Sequence, residues 1–205
     1  IVSFRPGELS NPFSLPQALL ATGYQYSSTA TANNSLTHLP YQLTYDRLTD
    51  SEVELFEFPV TIEDEELPKM GDRLPEALEV ARQIGRYGGS MVVLIHPNIL
   101  DHKLAFEKGF VEGVRHSAWF GSVREFGHWW AARTRVQLDV AQGGRGGTVT
   151  ITTPEPVAGL TLEVPGGWRF DPSRSSLKGL EQRGVVVTLP QLNGVHTLVF
   201  AAGSP

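Results

Sequence analysis

The amino-acid sequence predicts an α/β fold over most of its length and a small all-β fold in the remainder. Apolar, largely β-branched runs at 1–4 and 91–95 are typical of strands buried on both faces of a parallel sheet. Strands and helical segments alternate around these runs, as in βα units. After Arg135 only short alternating strands follow, which indicates an antiparallel sheet or sandwich. We therefore predict two domains, 1–135 and 136–205.

Helices are predicted where apolar residues recur every three or four positions between a capping residue and a stop signal. Ser14 caps the first predicted helix and Gly23 ends it. Ser122 and Glu125 have the spacing of a capping box and open the last one. The predicted helices are 14–22, 74–87, 104–114 and 123–133.

Further strands are predicted at 24–28 and at 53–62, the second broken near Pro59. The polar segment 29–50 has no clear period and is predicted to be a long surface loop, of the kind that often binds ligands. The acidic run 63–66 is predicted to be mostly solvated, although its first two residues lie close enough to a strand end to face a site.

The all-β region is predicted from period-two alternation between turn residues. The five residues at 143–147, four glycines and one arginine, are predicted to form a turn. A phosphate-binding loop would require a buried strand before them and a helix after them, and the sequence predicts neither. The predicted strands of this region are 136–140, 148–152, 160–164, 184–189 and 197–201.

Composition excludes several classes of protein. A net charge of −5 without a basic run argues against a nucleic-acid partner or an anionic membrane surface. No apolar run approaches the roughly 20 residues that span a bilayer. The absence of cysteine excludes disulfides, thiolate metal sites and cysteine nucleophiles. Because the chain opens with Ile1 inside a predicted strand, we expect it to be part of a longer protein.

Arg5 and His96 end the two apolar runs, and each is followed by a proline that cannot continue the strand. Both therefore lie at carboxyl ends of strands, where α/β enzymes place their chemistry. Arg5 could orient a catalytic carboxylate or bind an anionic group, or it could pair with a structural carboxylate. His96 could transfer protons, or it could be a satisfied core residue.

The sequence predicts no metal site within these residues. The six histidines have no recognised ligand spacing, and the motif His-Glu-x-x-His is absent. A Gly-x-Ser-x-Gly nucleophile elbow and a Walker-type phosphate loop are absent as well.

Five short segments together resemble polysaccharide deacetylases of the NodB-homology type, carbohydrate esterase family 4. FRPG resembles the arginine-containing third motif of that family, and LIH resembles its fifth motif, Leu-x-His. The other segments resemble the strands between these motifs and the closing helix of members that carry an extra β domain. In order, the segments are FRPG at 4–7, GYQYSS at 23–28, FPV at 58–60, LIH at 94–96 and FGHWWAAR at 126–133.

The resemblance implies that 1–135 is the carboxyl-terminal half of a distorted (β/α)7 barrel that hydrolyses acetamido groups on sugars. In such enzymes a divalent metal, most often zinc, activates water in the intact protein. Carried over to this chain, Arg5 would orient the base aspartate and His96 would be the general acid. The backbone N–H of Glu8 would donate to the oxyanion, and Leu94 would line the acetyl pocket.

The family's Thr-Phe-Asp-Asp and His-x-x-x-His motifs do not occur in these residues. We therefore expect the missing half of the barrel to be the partner of this segment, and the segment alone to hold no metal. Glu8 replaces a frequent tyrosine. The aspartate that usually tunes the histidine in this family has no clear counterpart in the sequence, and Asp64 is a candidate for it. The alternative is a non-catalytic glycan-binding or cell-envelope protein that keeps the barrel. An extracellular or envelope location follows from the resemblance alone.

Overall fold

The computed structural model describes residues 1–44, 52–98, 100–143 and 146–202. These residues contain five α-helices and thirteen strands, which confirms the mixed α/β class. The chain divides into two compact units, Ile1–Gly127 and His128–Pro205. The division falls inside the last helix, and the predicted boundary after Arg135 falls just beyond the end of that helix.

Six strands of the first unit form two small sheets whose parallel pairs are the framework of the site. The first sheet has the order β1-β2-β4-β3, with β1, β2 and β4 parallel and β3 antiparallel. The second sheet is the parallel pair β5-β6, and a parallel bridge from Thr31 to Val60 connects the two sheets. The strands are β1 (Ser3–Phe4), β2 (Tyr26–Ser27), β3 (Tyr41–Thr44), β4 (Glu52–Glu57), β5 (Val60–Glu63) and β6 (Val92–Leu94).

The prediction that the runs at 1–4 and 91–95 are strands buried on both faces is wrong. Among the described residues β1 and β6 are edge strands, and their residues are only half-buried. An edge strand has a hydrogen-bonded neighbour on one side only, so its apolar composition does not guarantee full burial.

The helices agree with the sequence where capping and periodicity are strong. The helix predicted at 74–87 has those bounds, and the capping box of the last helix is formed by Ser122 and Glu125, whose side chains accept from each other's backbone N–H groups at 3.2 and 2.8 Å. The helices are α1 (Leu15–Ala21), α2 (Ala32–Ser35), α3 (Leu74–Tyr87), α4 (Asp101–Val114) and α5 (Val123–Thr134).

The predicted loop at 29–50 is wrong in part, because α2 and β3 lie within it. Thr31 caps α2 by accepting from the backbone N–H of Asn34, and a helix of four residues is too short to show a period in the sequence. Residues 45–50 of this predicted loop lie outside the described residues.

A compact apolar cluster holds α3 and α4 against β5. Phe106 is 1% exposed and stacks on Phe110 with ring centroids 5.6 Å apart. Met70 and Ala77 are fully buried beside them, and Ile62 brings in β5. This packing fixes the amino-terminal turns of α4 beneath the carboxyl end of β5.

The second unit contains two antiparallel sheets, in the orders β10-β13-β8-β7 and β11-β12-β9. Ile151 and Leu198 of the first sheet share one core with Val187 of the second, as expected for a sandwich-like domain. The antiparallel character predicted after Arg135 is confirmed. The strands are β7 (Gln137–Gly143), β8 (Gly146–Val157), β9 (Thr161–Glu163), β10 (Trp168–Phe170), β11 (Glu181–Arg183), β12 (Val186–Thr188) and β13 (Leu192–Ala202).

Two strands of this unit, β10 and β11, lie outside the predicted strands. The predicted turn at 143–147 includes residues 144 and 145, which lie outside the described residues. Within the described parts of the chain the four sheets stay open and no barrel is formed, so the barrel remains a prediction. The helices found there are all too short or too polar to cross a membrane.

Candidate functional site

The carboxyl ends of four parallel strands in the first unit carry polar side chains. β1 leads into Arg5 and β2 into Ser28, while β5 leads into Asp64 and β6 leads through Ile95 into His96. Parallel strands end at the same edge of their sheet, and the parallel bridge between the sheets keeps both edges on one side. We call these strand ends the rim.

His96 and Asp64 form the best-defined polar contact of the rim. The Asp64 Oδ1 atom lies 2.8 Å from Nδ1 of His96, and Oδ2 accepts the backbone N–H of His96 at 2.9 Å. The Asp64 side chain is 0% exposed, whereas the imidazole is 44% exposed. An ionised carboxylate can only accept, so Nδ1 carries the proton and Nε2 is the nitrogen available to a ligand.

Lys103 completes this arrangement from the first turns of α4. Its ammonium pairs with Oδ2 of Asp64 and donates to the carbonyl oxygen of His96 at 3.1 Å and to Oδ1 of Asn98 at 2.6 Å. Burial alone would raise the pKa of Asp64, but hydrogen bonds from Lys103 and His96 outweigh it and lower that pKa to about 2. Asp64 is therefore a carboxylate anion at neutral pH.

Arg5 occupies the other part of the rim. Its Nη2 donates to Oγ of Ser28 at 2.7 Å, and Ser28 in turn donates to the carbonyl oxygen of Phe58 at 2.7 Å. Among the described residues Nη1 is buried without a hydrogen-bond partner. Burial lowers the pKa of Arg5, and the nearby carboxylates Glu57 and Glu63 partly offset this effect. Such a donor is oriented to receive an acceptor that these residues do not supply.

Glu57 is a fully buried carboxylate that the sequence did not single out. It accepts the backbone N–H groups of Thr29 and Ala30 at 2.5 and 2.9 Å, and the hydroxyl of Thr29 at 3.1 Å. By period-two spacing it lies on the same face of β4 as the buried Leu55, which is the one signal of this burial in the sequence. Glu57 holds the chain just after Ser28 and supplies negative charge near Arg5.

Glu63 connects the two parts of the rim electrostatically. Burial, together with Glu66, Glu65 and Asp64, raises the pKa of Glu63, and His96 acts against this rise. The charge of Glu63 also acts on Arg5. Glu63 thus lies within electrostatic range of both Arg5 and His96, as expected if these two groups face one site.

The other two predicted site residues lie beside these groups. Glu8 follows Arg5 in a 3-10 turn, Gly7–Leu9; it is exposed, and its φ of 54° lies in the left-handed region that non-glycine residues rarely adopt. Leu94 is the half-buried last residue of β6 and pairs in register with Glu63. The structure places both residues next to the rim and shows no ligand contact that would assign them a role.

The described residues do not fit a metal ion. No group of three or more histidine, aspartate or glutamate side chains in the described segments is arranged to hold one. The nearest candidate, the Asp64 carboxylate, already has its acceptor positions engaged by His96 and Lys103. We therefore derive no step through a metal from these side chains.

A cleft of about 650 Å³ opens beside the Arg5 part of the rim. Leu9 and Thr29 connect it to the segments that follow β1 and β2, and the described side chains that line it carry no formal charge. Neutral amides, hydroxyls and one aromatic ring are groups that hydrogen-bond and stack on uncharged polar ligands. Its polar lining includes Asn11, Thr31, Asn34, Ser35, Tyr41 and Gln42.

A larger cavity, of about 760 Å³, lies at the opposite end of β6. Met91 and Val92 line it together with apolar residues of α3 and α4 such as Leu78 and Phe110. The described residues that line it include none of the polar rim residues, so volume alone does not identify the site.

Lys103 is the other residue that sequence reasoning missed, although a signal for it exists. Positions 103, 106, 110 and 114 recur at helical spacing, and all four are buried. A lysine on such a buried stripe needs a partner of opposite charge, so the pattern predicts a buried carboxylate close to Lys103.

No protein-family model matches the chain, and no curated protein shows significant similarity to it. The resemblance to polysaccharide deacetylases therefore remains a prediction.

Proposed function

We propose that this chain is the carboxyl-terminal half of a carbohydrate deacetylase barrel and that His96 is its general acid. The observation that carries the proposal is the contact between His96, at a strand end, and the buried carboxylate of Asp64. One carboxylate oxygen contacts Nδ1 of the imidazole, and the other accepts the backbone N–H of His96. This is the aspartate–histidine pair that the resemblance calls for. The rest of the barrel would come from residues that precede Ile1 in the parent protein.

In the proposed reaction water adds to the carbonyl carbon of an acetamido group and gives its proton to a base supplied by the other half of the barrel. A C–O bond forms, the C–N bond breaks, and the products are acetate and the amine of the sugar. Protonated His96 gives its Nε2 proton to that nitrogen, while Asp64 stabilises the imidazolium and fixes its ring orientation. The exposure of the imidazole supports access of a ligand to Nε2. The described residues supply this acid and the carboxylate that supports it.

Arg5 has the properties of a positioning residue in this proposal. Its buried and unpartnered Nη1 could hold the carboxylate of a catalytic base supplied by the other half of the barrel. Glu8 and Leu94 keep their proposed roles as oxyanion donor, through the backbone N–H, and as acetyl-pocket residue. Their places beside Arg5 and His96 support these roles.

The uncharged cleft beside the rim supports a neutral glycan as substrate. Exposed acidic residues near His96, among them Glu65 and Glu66, disfavour a polyanionic chain. An N-acetylated oligosaccharide meets both conditions, because its rings are uncharged and carry many hydrogen-bonding groups.

The test is acetate release by the full-length protein from an N-acetylated chito-oligosaccharide. His96→Ala should reduce kcat by about 10²–10⁴-fold, the range for loss of general acid catalysis. His116→Ala, an exposed histidine beyond α4, is the matched control and should leave the rate unchanged. The 205-residue chain alone should release no acetate.

Equal rates for His96→Ala and the unaltered protein would refute the role of His96. Glycan binding by the full-length protein without any acetate release would instead support the non-catalytic, glycan-binding alternative. In that case Asn34→Ala and Tyr41→Ala in the cleft should weaken binding, while His96→Ala should not.

A further inference from the structure

We propose that Lys103 is a positioning residue that controls the protonation of His96 through Asp64. The inference deepens the proposed function and rests on it for its catalytic meaning. Nothing in the resemblance to deacetylases calls for a lysine at this place, and the case for it comes from the contacts around the Asp64 carboxylate.

The ammonium of Lys103 is fully engaged and almost fully buried. The residue is 6% exposed, and its three donor positions have three acceptors: Oδ2 of Asp64, the carbonyl oxygen of His96 and Oδ1 of Asn98. Two of these acceptors, on His96 and Asn98, belong to the segment that follows β6. The third is the Asp64 carboxylate, which contacts the imidazole of His96. Lys103 therefore fixes both ends of the Asp64–His96 contact from α4.

The charges around His96 explain why this cation matters. On the β5 side the imidazole faces three carboxylates: Asp64 in direct contact, Glu65 with Oε1 3.8 Å from Nδ1, and Glu63 within electrostatic range. From α4 it faces Lys103, which is the one cation bonded to this group among the described residues. Without that cation, the Asp64 carboxylate would pair with the imidazolium alone, so we expect the imidazolium of the variant to hold its proton more firmly.

An acid that holds its proton too firmly transfers it poorly. Lys103 shares the Asp64 carboxylate with His96, so it brings a positive charge to the carboxylate that contacts the imidazole while the ring stays in place. The carbonyl oxygen of His96 and the side chain of Asn98 accept from the two remaining donors of the ammonium, so Lys103 holds the segment that carries His96 as well as the Asp64 carboxylate. The three contacts together define a positioning role.

The experiment follows the imidazole of His96 by NMR titration of the 205-residue chain. The chain contains no cysteine, so Lys103→Cys introduces a single thiol. Alkylation of that thiol with 2-bromoethylamine in denaturant, followed by refolding, restores an ammonium at nearly the original length. Lys108→Gln, on an exposed position of the same helix, is the control.

In Lys103→Cys the titration midpoint of His96 should move up by about one pH unit, the size expected for loss of a nearby charge. Aminoethylation should return it, and Lys108→Gln should not move it. In the full-length protein the alkaline limb of the pH–rate profile should shift in the same direction. If Lys103→Cys does not fold, Lys103→Gln replaces it, because glutamine keeps a hydrogen-bond donor but carries no charge. The titration midpoint of His96 is then measured in that variant.

An unchanged midpoint in a folded variant would overturn the inference. If the midpoint is unchanged and His96→Ala abolishes acetate release, the proposed function stands and the role of Lys103 falls. If the midpoint moves but His96→Ala keeps full activity, the coupling stands and the proposed function falls.

Discussion

Asp64→Asn tests the electrostatics of the rim independently of any activity. Asparagine has nearly the shape of aspartate, so the substitution removes the charge with little change in volume. In the folded chain the pKa of Asp64 is lowered from 3.8 to about 2. At 1.36 kcal/mol per unit, this depression corresponds to about 2.5 kcal/mol of stability at neutral pH. The variant also leaves Lys103 without its anion, so we expect a loss of about 3 kcal/mol in total.

The pH dependence of this loss is its distinctive feature. A carboxyl group whose pKa is lowered by folding stabilises the fold above its unfolded pKa and loses that contribution as the pH falls through its folded value. The difference between wild type and Asp64→Asn should therefore be complete at pH 5 and above. It should shrink between about pH 4 and pH 2, because Asp64 becomes protonated in that window.

The assay is urea denaturation at several pH values, followed by circular dichroism at 222 nm, where the helices of the first unit dominate the signal. Glu65→Gln is the matched control: Glu65 is the next residue and is exposed, and its removal should change stability by no more than about 0.5 kcal/mol. A difference below 1 kcal/mol at pH 7, or one that does not change with pH, would refute the assignment of Asp64 as a buried, paired anion.

Two further predictions concern the framework around the rim. Phe106→Ala should lower the free energy of unfolding by about 3–5 kcal/mol in the same urea assay, because Phe106 fills the apolar cluster under β5. Leu104→Ala, at a 42% exposed position, is the control and should lower it little. Equal losses for the two variants would contradict the packing described. Ser122→Ala should destabilise α5 by about 1 kcal/mol, because the cap of the helix is lost. The measurement is hydrogen exchange of the backbone amides in the first turn of α5, which should become faster. Unchanged exchange would argue against the capping box.

The sequence was informative where local chemistry alone decides the structure. Helix α3 has its predicted bounds because an apolar stripe at helical spacing ends at Gly88, whose φ of 85° suits glycine. The break between β4 and β5 was predicted from Pro59, which cannot donate to a ladder. Arg5 and His96 lie beyond strand ends for the same reason.

The sequence failed where burial depends on partners distant in the chain. Asp64 stands in an acidic run that looks solvated, and only the approach of His96 and Lys103 makes it a buried anion. Glu57 shares its face of β4 with the buried Leu55, yet only the turn after β2 supplies the N–H groups that its carboxylate needs. Short elements such as α2 escaped because four residues cannot establish a period.

The length of chain between β5 and β6 also affects when Asp64 and His96 come into contact during folding. The chain between β5 and β6 contains all of α3, so the paired residues of these two strands are far apart in the sequence. In contrast, β7 and β8 are consecutive strands, and their pairing begins at Gly143 and Gly146. Contacts that close long stretches of chain form more slowly than those of a hairpin. Asp64 and His96 meet only after β5 has paired with β6, so we expect their contact to form later than the β7–β8 hairpin.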